Sequence, residues 1–120
     1  MLNRIKNLFS SGDRSLNSRI NAAIDRVKLE LRTMTTEKAH VTHFGATDID
    51  PKHLAVWLCV QSDHECERLE EEHLEIRQRI HACFLAEGYP EVAVPFIGVG
   101  IASQETVTRD YDGHWWHFFK

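Results

Sequence analysis

Between residues 14 and 34, Leu16, Ile20, Ala23, Ile24, Val27, Leu31 and Met34 recur at helical spacing. They form one apolar stripe over five turns, with Arg19, Arg26, Lys28 and Arg32 outside it. The pattern predicts a helix over about 14–34, opened by Asp13 or Ser15 as cap. A helix with one long apolar face is stable only against a second layer, so the remaining chain must supply that layer.

It supplies strand patterns. Residues 40–47 read as a strand, and 48–52 as a turn in which Pro51 provides the fixed φ. Residues 54–60 are almost continuously apolar, which predicts a central strand paired antiparallel with the first. Ser62 and Glu65 have capping-box spacing and open a second helix to about residue 87. Leu69, His73, Ile76, Ile80, Cys83 and Phe84 lie on its inner face, and Gly88 and Pro90 end it. Residues 94–107 read as a long strand, with Gly98 and Gly100 on one face. Asp112-Gly113 then reads as a hairpin turn into an aromatic strand, His114-Trp115-Trp116-His117-Phe118-Phe119. The order α-β-β-α-β-β predicts an α+β fold: a four-stranded, mainly antiparallel sheet with two helices on one face. Residues 13–120 form one domain, preceded by a short amphipathic segment, 1–12, with Leu2, Ile5, Leu8 and Phe9 on one side.

Several function classes are excluded or disfavoured. No apolar run reaches the roughly 18 residues a membrane-spanning helix needs, and residues 1–10 lack the apolar core of a secretory signal, so the cytoplasm is expected. Residues 1–32 hold seven basic and three acidic side chains, a net +4; the chain total of −4 leaves −8 for residues 33–120. An acidic body repels nucleic acid and favours basic partners. Cys59, Cys66 and Cys83 are odd in number and lack zinc or disulfide spacing. Cys66 lies between Glu65 and Glu67, which raise a thiol pKa and make a poor nucleophile. Eight histidines are many for 120 residues, but neither a His-Glu-x-x-His nor a Cys-x-x-Cys motif occurs. Gly98-x-Gly100 lies inside a strand and is no phosphate loop. No catalytic residue and no cofactor is assigned.

Two groups of residues are candidates for recognition. One is acidic: Glu67, Glu70, Glu71 and Glu75 on the second helix, with Asp48, Asp50, Asp110 and Asp112 in turns. Acids near a helix N-terminus also favour the macrodipole, so this group has a structural reading as well. The other brackets the C-terminal hairpin: Glu105, Arg109, His114, Trp115 and Trp116. Aromatic residues and arginine are the usual anchors of protein interfaces. The alternative is that one aromatic row packs as core; both rows could do so only if the sheet were covered twice.

The run Ser103-Gln104-Glu105-x-Val107-x-Arg109, followed by Gly113-x-Trp115-Trp116 and a terminal lysine, resembles the C-terminal signature of small bacterial α+β proteins. The helix end Gly88-Tyr89-Pro90 belongs to the same likeness, which covers about residues 54–120. Some proteins of this build are similar to immunity proteins of contact-dependent or polymorphic toxin systems. The resemblance implies a non-catalytic module that neutralises a cognate protein toxin by occlusion, a basic nuclease domain being one such target. The competing expectation is a small enzyme or a metal- or ligand-binding protein that uses His43, His114 or Glu105 in a pocket beside the aromatic strand. A homodimer joined through that strand is a third.

Overall fold

The computed structural model describes residues 15–120; the amphipathic segment expected at 1–12 lies outside them. Helix α1 (Leu16–Met34) starts at Ser15, whose hydroxyl accepts from the Ser18 amide at 3.1 Å. Its expected stripe is buried at Ile20, Ala23, Ile24, Val27 and Leu31. Strands β1 (His40–Phe44) and β2 (Ala55–Val60) pair antiparallel, with His40 opposite Cys59 and Phe44 opposite Ala55. Gly45 makes the turn between them feasible: its φ is 137°, and a Cβ there would lie 2.1 Å from the His53 carbonyl oxygen. A 3₁₀ turn, Pro51–His53, follows, with the Asp50 side chain capping the Lys52 amide at 2.9 Å.

The expected second helix is two helices, α2 (Asp63–Glu70) and α3 (His73–Ala86). Glu67, Glu70, Glu71 and Glu75 stand three or four residues apart, where like charges oppose a continuous helix, and the chain breaks at Glu71–Glu72. At the far end the Tyr89 amide returns to the Phe84 carbonyl and the Gly88 amide to that of Leu85. Gly88 has a φ of 81°, and the Phe84 and Tyr89 rings meet edge to face at 5.3 Å, completing a Schellman end.

Strand β3 (Gly98–Ser103) is shorter than expected and runs parallel to β2, with Ala55 opposite Gly98 and Val60 opposite Ser103. Parallel pairing requires a crossover, which α2 and α3 provide. Residues before β3 form a second 3₁₀ turn, Val94–Phe96, because Pro95 has no amide proton for a ladder. Beyond β3, residues expected to continue the strand form α4 (Gln104–Asp110), capped by the Ser103 hydroxyl on the Thr106 amide at 3.1 Å. Asp112 and Gly113, expected as a hairpin turn, have φ of 55° and 78° and end this helix instead. The Gly113 amide returns to the Val107 carbonyl at 2.9 Å. The aromatic segment is then a helical turn, α5 (Trp115–Phe118), and not a strand. The fold is therefore α+β with a three-stranded mixed sheet, order β1-β2-β3, and five α-helices among the described residues. The expected four-stranded, mainly antiparallel sheet with two helices is not formed.

Both faces of this sheet are covered. Val56, Leu58 and Val60 of β2 join the core with α1 and α3. α1 and α3 are also tied at their rim by Arg79 to Glu30 at 2.9 Å and by Arg26 to Glu87. Trp57 points to the opposite face, where Gly100 is its register partner. There Phe118 and Phe119 each meet the Trp57 ring at 5.4 Å, and Phe44 meets Phe119 at 5.1 Å. Trp115, Phe118 and Phe119 stand at positions i, i+3 and i+4, the spacing that puts three rings on one side of a helical turn.

Gly100 is what lets Trp57 lie flat on β3. A Cβ at Gly100 would stand 2.5 Å from the indole ring, whereas at Gly98 it would find its nearest neighbour at 3.9 Å. Gly100→Ala should lower stability by about 1–3 kcal/mol through overpacking. Gly98→Ala should change it by less than about 0.5 kcal/mol. Urea denaturation of both variants, followed by tryptophan fluorescence, checks the difference.

Candidate functional site

Strands β2 and β3 end side by side, and each passes through a serine into a helix. Ser62 caps α2 by accepting from the Glu65 amide at 3.1 Å, as Ser103 caps α4. The two helix starts also cap each other. Glu105 of α4 accepts from the Asp63 amide at 2.6 Å, and Asp63 of α2 accepts from the Ser103 hydroxyl, from Thr106 Oγ1 at 2.8 Å and from Arg109 at 2.9 Å. Glu37 supplies the second half of the Ser62 cap: its carboxylate accepts from the Ser62 amide at 3.0 Å and from the Ser62 hydroxyl at 2.6 Å. Glu65 is thereby free to turn away, and it accepts from Arg68 and from buried Thr35.

These contacts set the acidities. The Ser103 hydroxyl, then Arg109 and Thr106, hold Asp63 down at about 2, and Arg68 with Thr35 does the same for Glu65. Ligands of open α/β sheets commonly bind outside the carboxyl ends of parallel strands, which is where this cluster lies. Its groups are turned toward one another, however, and no buried side-chain polar atom among the described residues lacks a partner. The cluster is a clamp that joins β2–α2 to β3–α4.

The residues expected to carry function fall into three places. Glu105 and Arg109 belong to the clamp, with Asp110 on its margin at 3.3 Å from Arg109. Trp115 is half-buried: its indole nitrogen donates to Gln104 at 2.8 Å and its ring meets His40 at 5.3 Å. Trp116 points outward and is 61% exposed, with His114 beside it at 6.3 Å and Lys120 above it at 5.6 Å. Asp48 and Asp112 are exposed turn residues, and Asp50 is a cap.

Glu67, Glu70, Glu71 and Glu75 are exposed and form no ion pair or side-chain hydrogen bond with a described residue. The break after α2 changes their meaning. Glu67 and Glu70 occupy the last turn of a helix, the negative end of its dipole, where a carboxylate is disfavoured. The dipole accounts only for the acids that open α3, such as Glu75. Leu74, 66% exposed, precedes Glu75 and lies off the inner face that helical spacing assigns to Leu69, His73, Ile76 and Ile80.

His43, His114 and Glu105 are not brought together. His43 is the register partner of Val56, on the helix-covered face, while His114 precedes α5 on the other face. Beside Trp115, where a pocket was expected, stand the rings of Phe118 at 5.9 Å and Phe119 at 5.8 Å, each of which also meets Trp57 at 5.4 Å. Among the described residues no three His, Cys, Asp or Glu side chains converge as a metal site. Burial, and then Glu70, Asp63 and Glu67, push the Cys66 thiol up, and burial takes Cys59 to about 12. Neither is an activated thiolate. The terminal segment, being helical, offers no strand edge for a homodimer. The clamp residues Asp63, Ser103 and Glu37 were not expected; two serines at the ends of two apolar strands are the signal that points to them. No protein-family model, curated protein or solved structure gives a significant match to this chain.

The clamp makes stability depend on acid. A carboxyl held at about 2, against about 3.9 for an unperturbed aspartate, stabilises the fold fully above pH 4 and loses that effect as pH falls toward 2. The urea midpoint should therefore drop between about pH 4 and 2. Asp63→Asn should be less stable at pH 7 and should show a shallower drop. An Asp63→Asn profile parallel to the parent's would contradict the assignment.

Proposed function

We propose that this chain is a non-catalytic, stoichiometric protein-binding module of the immunity type, which occludes a cognate bacterial toxin. The observation that carries this reading is the carboxylate group at the α2–α3 junction. Glu30, Glu37, Asp63, Glu65, Glu87 and Glu105 each have a defined partner, whereas Glu67, Glu70, Glu71 and Glu75 have none among the described residues. Unpaired acids so close together along the chain repel one another, and a basic partner would relieve that repulsion.

The reading gives the partner a chemistry. A cationic surface with an apolar pocket for Leu74 would match this face, as on a toxin domain whose own substrate is polyanionic, such as a nuclease. Complementary fields speed encounter, which suits an inhibitor that must capture a toxin before it acts in the cytoplasm. Trp116 and His114 give a second, aromatic anchor. The likeness of residues 54–120 to small bacterial α+β proteins, some of which are similar to immunity proteins, points the same way.

The test is capture of the toxin domain encoded beside this chain's gene, followed by stopped-flow association. A 1:1 complex is expected. Glu70→Lys with Glu71→Lys should slow association roughly tenfold at low ionic strength and flatten its salt dependence. Failure to form a complex would overturn the reading, and unaltered association with unaltered salt dependence would remove this face from it.

A further inference from the structure

The two edges of the sheet are treated differently. On β3, the Gly98 amide points inward to the Leu54 carbonyl, so the flanking carbonyls of Ile97 and Val99 point away from β2. Each is met by a side chain of α3: His81 Nε2 lies 3.0 Å from the Ile97 oxygen and His73 Nε2 lies 2.9 Å from that of Val99. Arg77 donates to the Pro95 carbonyl at 2.8 Å. Three residues on one face of one helix, at i, i+4 and i+8, thus occupy the outward carbonyls beside this edge. Edge blocking of this kind prevents the addition of another strand.

Among the described residues nothing equivalent protects β1. Outside the ladder with β2, no hydrogen bond from a described residue reaches the backbone of residues 39–44. The start of that edge, Ala39, His40 and Val41, lines a groove of about 480 Å³ together with the last turns of α1 and the connection at Thr35–Glu37. Leu31, Ala39 and Val41 give the groove an apolar lining, and Lys28 and Arg32 give it a cationic rim. Lys28 is held only loosely, 3.8 Å from Asp25, and Arg32 forms no ion pair with a described residue. The one carboxylate in the lining, Glu37, is engaged by Ser62 and the Gln61 amide. Lys28 and Arg32 belong to the basic first part of the chain, whereas residues 33–120 carry a net −8.

We infer that β1 is a docking edge: it accepts an extended, acidic segment of a partner protein as a fourth strand, with that segment's carboxylates against Lys28 and Arg32. Backbone hydrogen bonds to the free edge would supply affinity, and side chains alternating between Leu31 and the cationic rim would supply selectivity. A second copy of this chain fits less well. Two-fold pairing of β1 with itself would bring the same cationic rims face to face. This surface is independent of the acidic face at the α2–α3 junction, so either assignment can fail without the other.

The probe is a short, fluorescently labelled peptide of alternating glutamate and valine, compared with its lysine–valine counterpart. Fluorescence anisotropy on the full chain should favour the acidic peptide by roughly tenfold, the worth of two exposed ion pairs. Amide shifts on binding should be confined to residues 39–44 and the facing turns of α1. Lys28→Glu with Arg32→Glu alters only exposed side chains. It should leave the far-ultraviolet dichroism unchanged and reverse the preference to the lysine peptide. Absence of binding, equal affinity for the two peptides, shifts elsewhere, or an unreversed preference would each overturn the inference. So would sedimentation that shows a dimer whose contacts map to residues 39–44.

Discussion

Parallel pairing of β3 with β2 is the constraint from which the rest of this architecture follows. Strands that run the same way cannot be joined by a tight turn, so α2 and α3 must carry the chain back across the sheet. They also finish at the same end, which places the starts of α2 and α4 next to each other. Two adjacent helix N-termini expose unsatisfied amides and two positive dipole ends to one another. Carboxylates resolve both problems. Glu105 takes the Asp63 amide, Glu37 takes those of Gln61 and Ser62, and Asp63 takes the Ser103 hydroxyl and Arg109. What looks at first like a polar site at the ligand-binding end of an α/β sheet is in fact the joint that sets where α4 begins, and so where the terminal aromatics lie.

The outer face of the sheet depends on that placement. Central strand β2 alternates Val56, Leu58 and Val60 toward the helices with Trp57 toward the other side, and a tryptophan there needs cover. Gly100 leaves room for the indole, and α5 brings Phe118 and Phe119 onto it. The sheet is therefore covered on both sides by one short chain: α1 and α3 build the buried core, and α5 lays half-buried aromatic rings over the other face. Trp116, on the opposite side of that turn, is left for solvent or a partner.

Much of the first two-thirds was legible in the sequence because its signals are local and redundant. The stripe of α1, the serine cap at Ser62, the hairpin of β1 with β2 and the glycine end at Gly88 each rest on spacing within a few residues. The last third was misread because its local signals point both ways. Thr106, Val107 and Thr108 are β-branched and favour strands, yet the Ser103 cap and the Asp63–Arg109 pairing draw them into a helix. Asp112-Gly113 suits a hairpin turn and equally a left-handed helix end. The i, i+3, i+4 spacing of Trp115, Phe118 and Phe119 was present, but an unbroken run of six aromatic residues has no periodicity of its own and suits a strand as well. Strand direction was not readable at all, since a crossover and a return look alike when both contain helices. Of the candidate site, the residue types were legible and their division into paired and unpaired carboxylates was not, because pairing is a property of tertiary contact.

The terminal aromatic turn is seated on the outer face of the sheet, with Phe118 and Phe119 on Trp57, where a strand was expected. Nuclear Overhauser contacts between the Trp57 indole and the rings of Phe118 and Phe119, read with the backbone carbon shifts of residues 104–118, test this directly. The account predicts ring-to-ring contacts together with helical shifts over 104–110 and 115–118. Extended shifts over 114–119, with cross-strand contacts to residues 103–109 in place of those to Trp57, would contradict it.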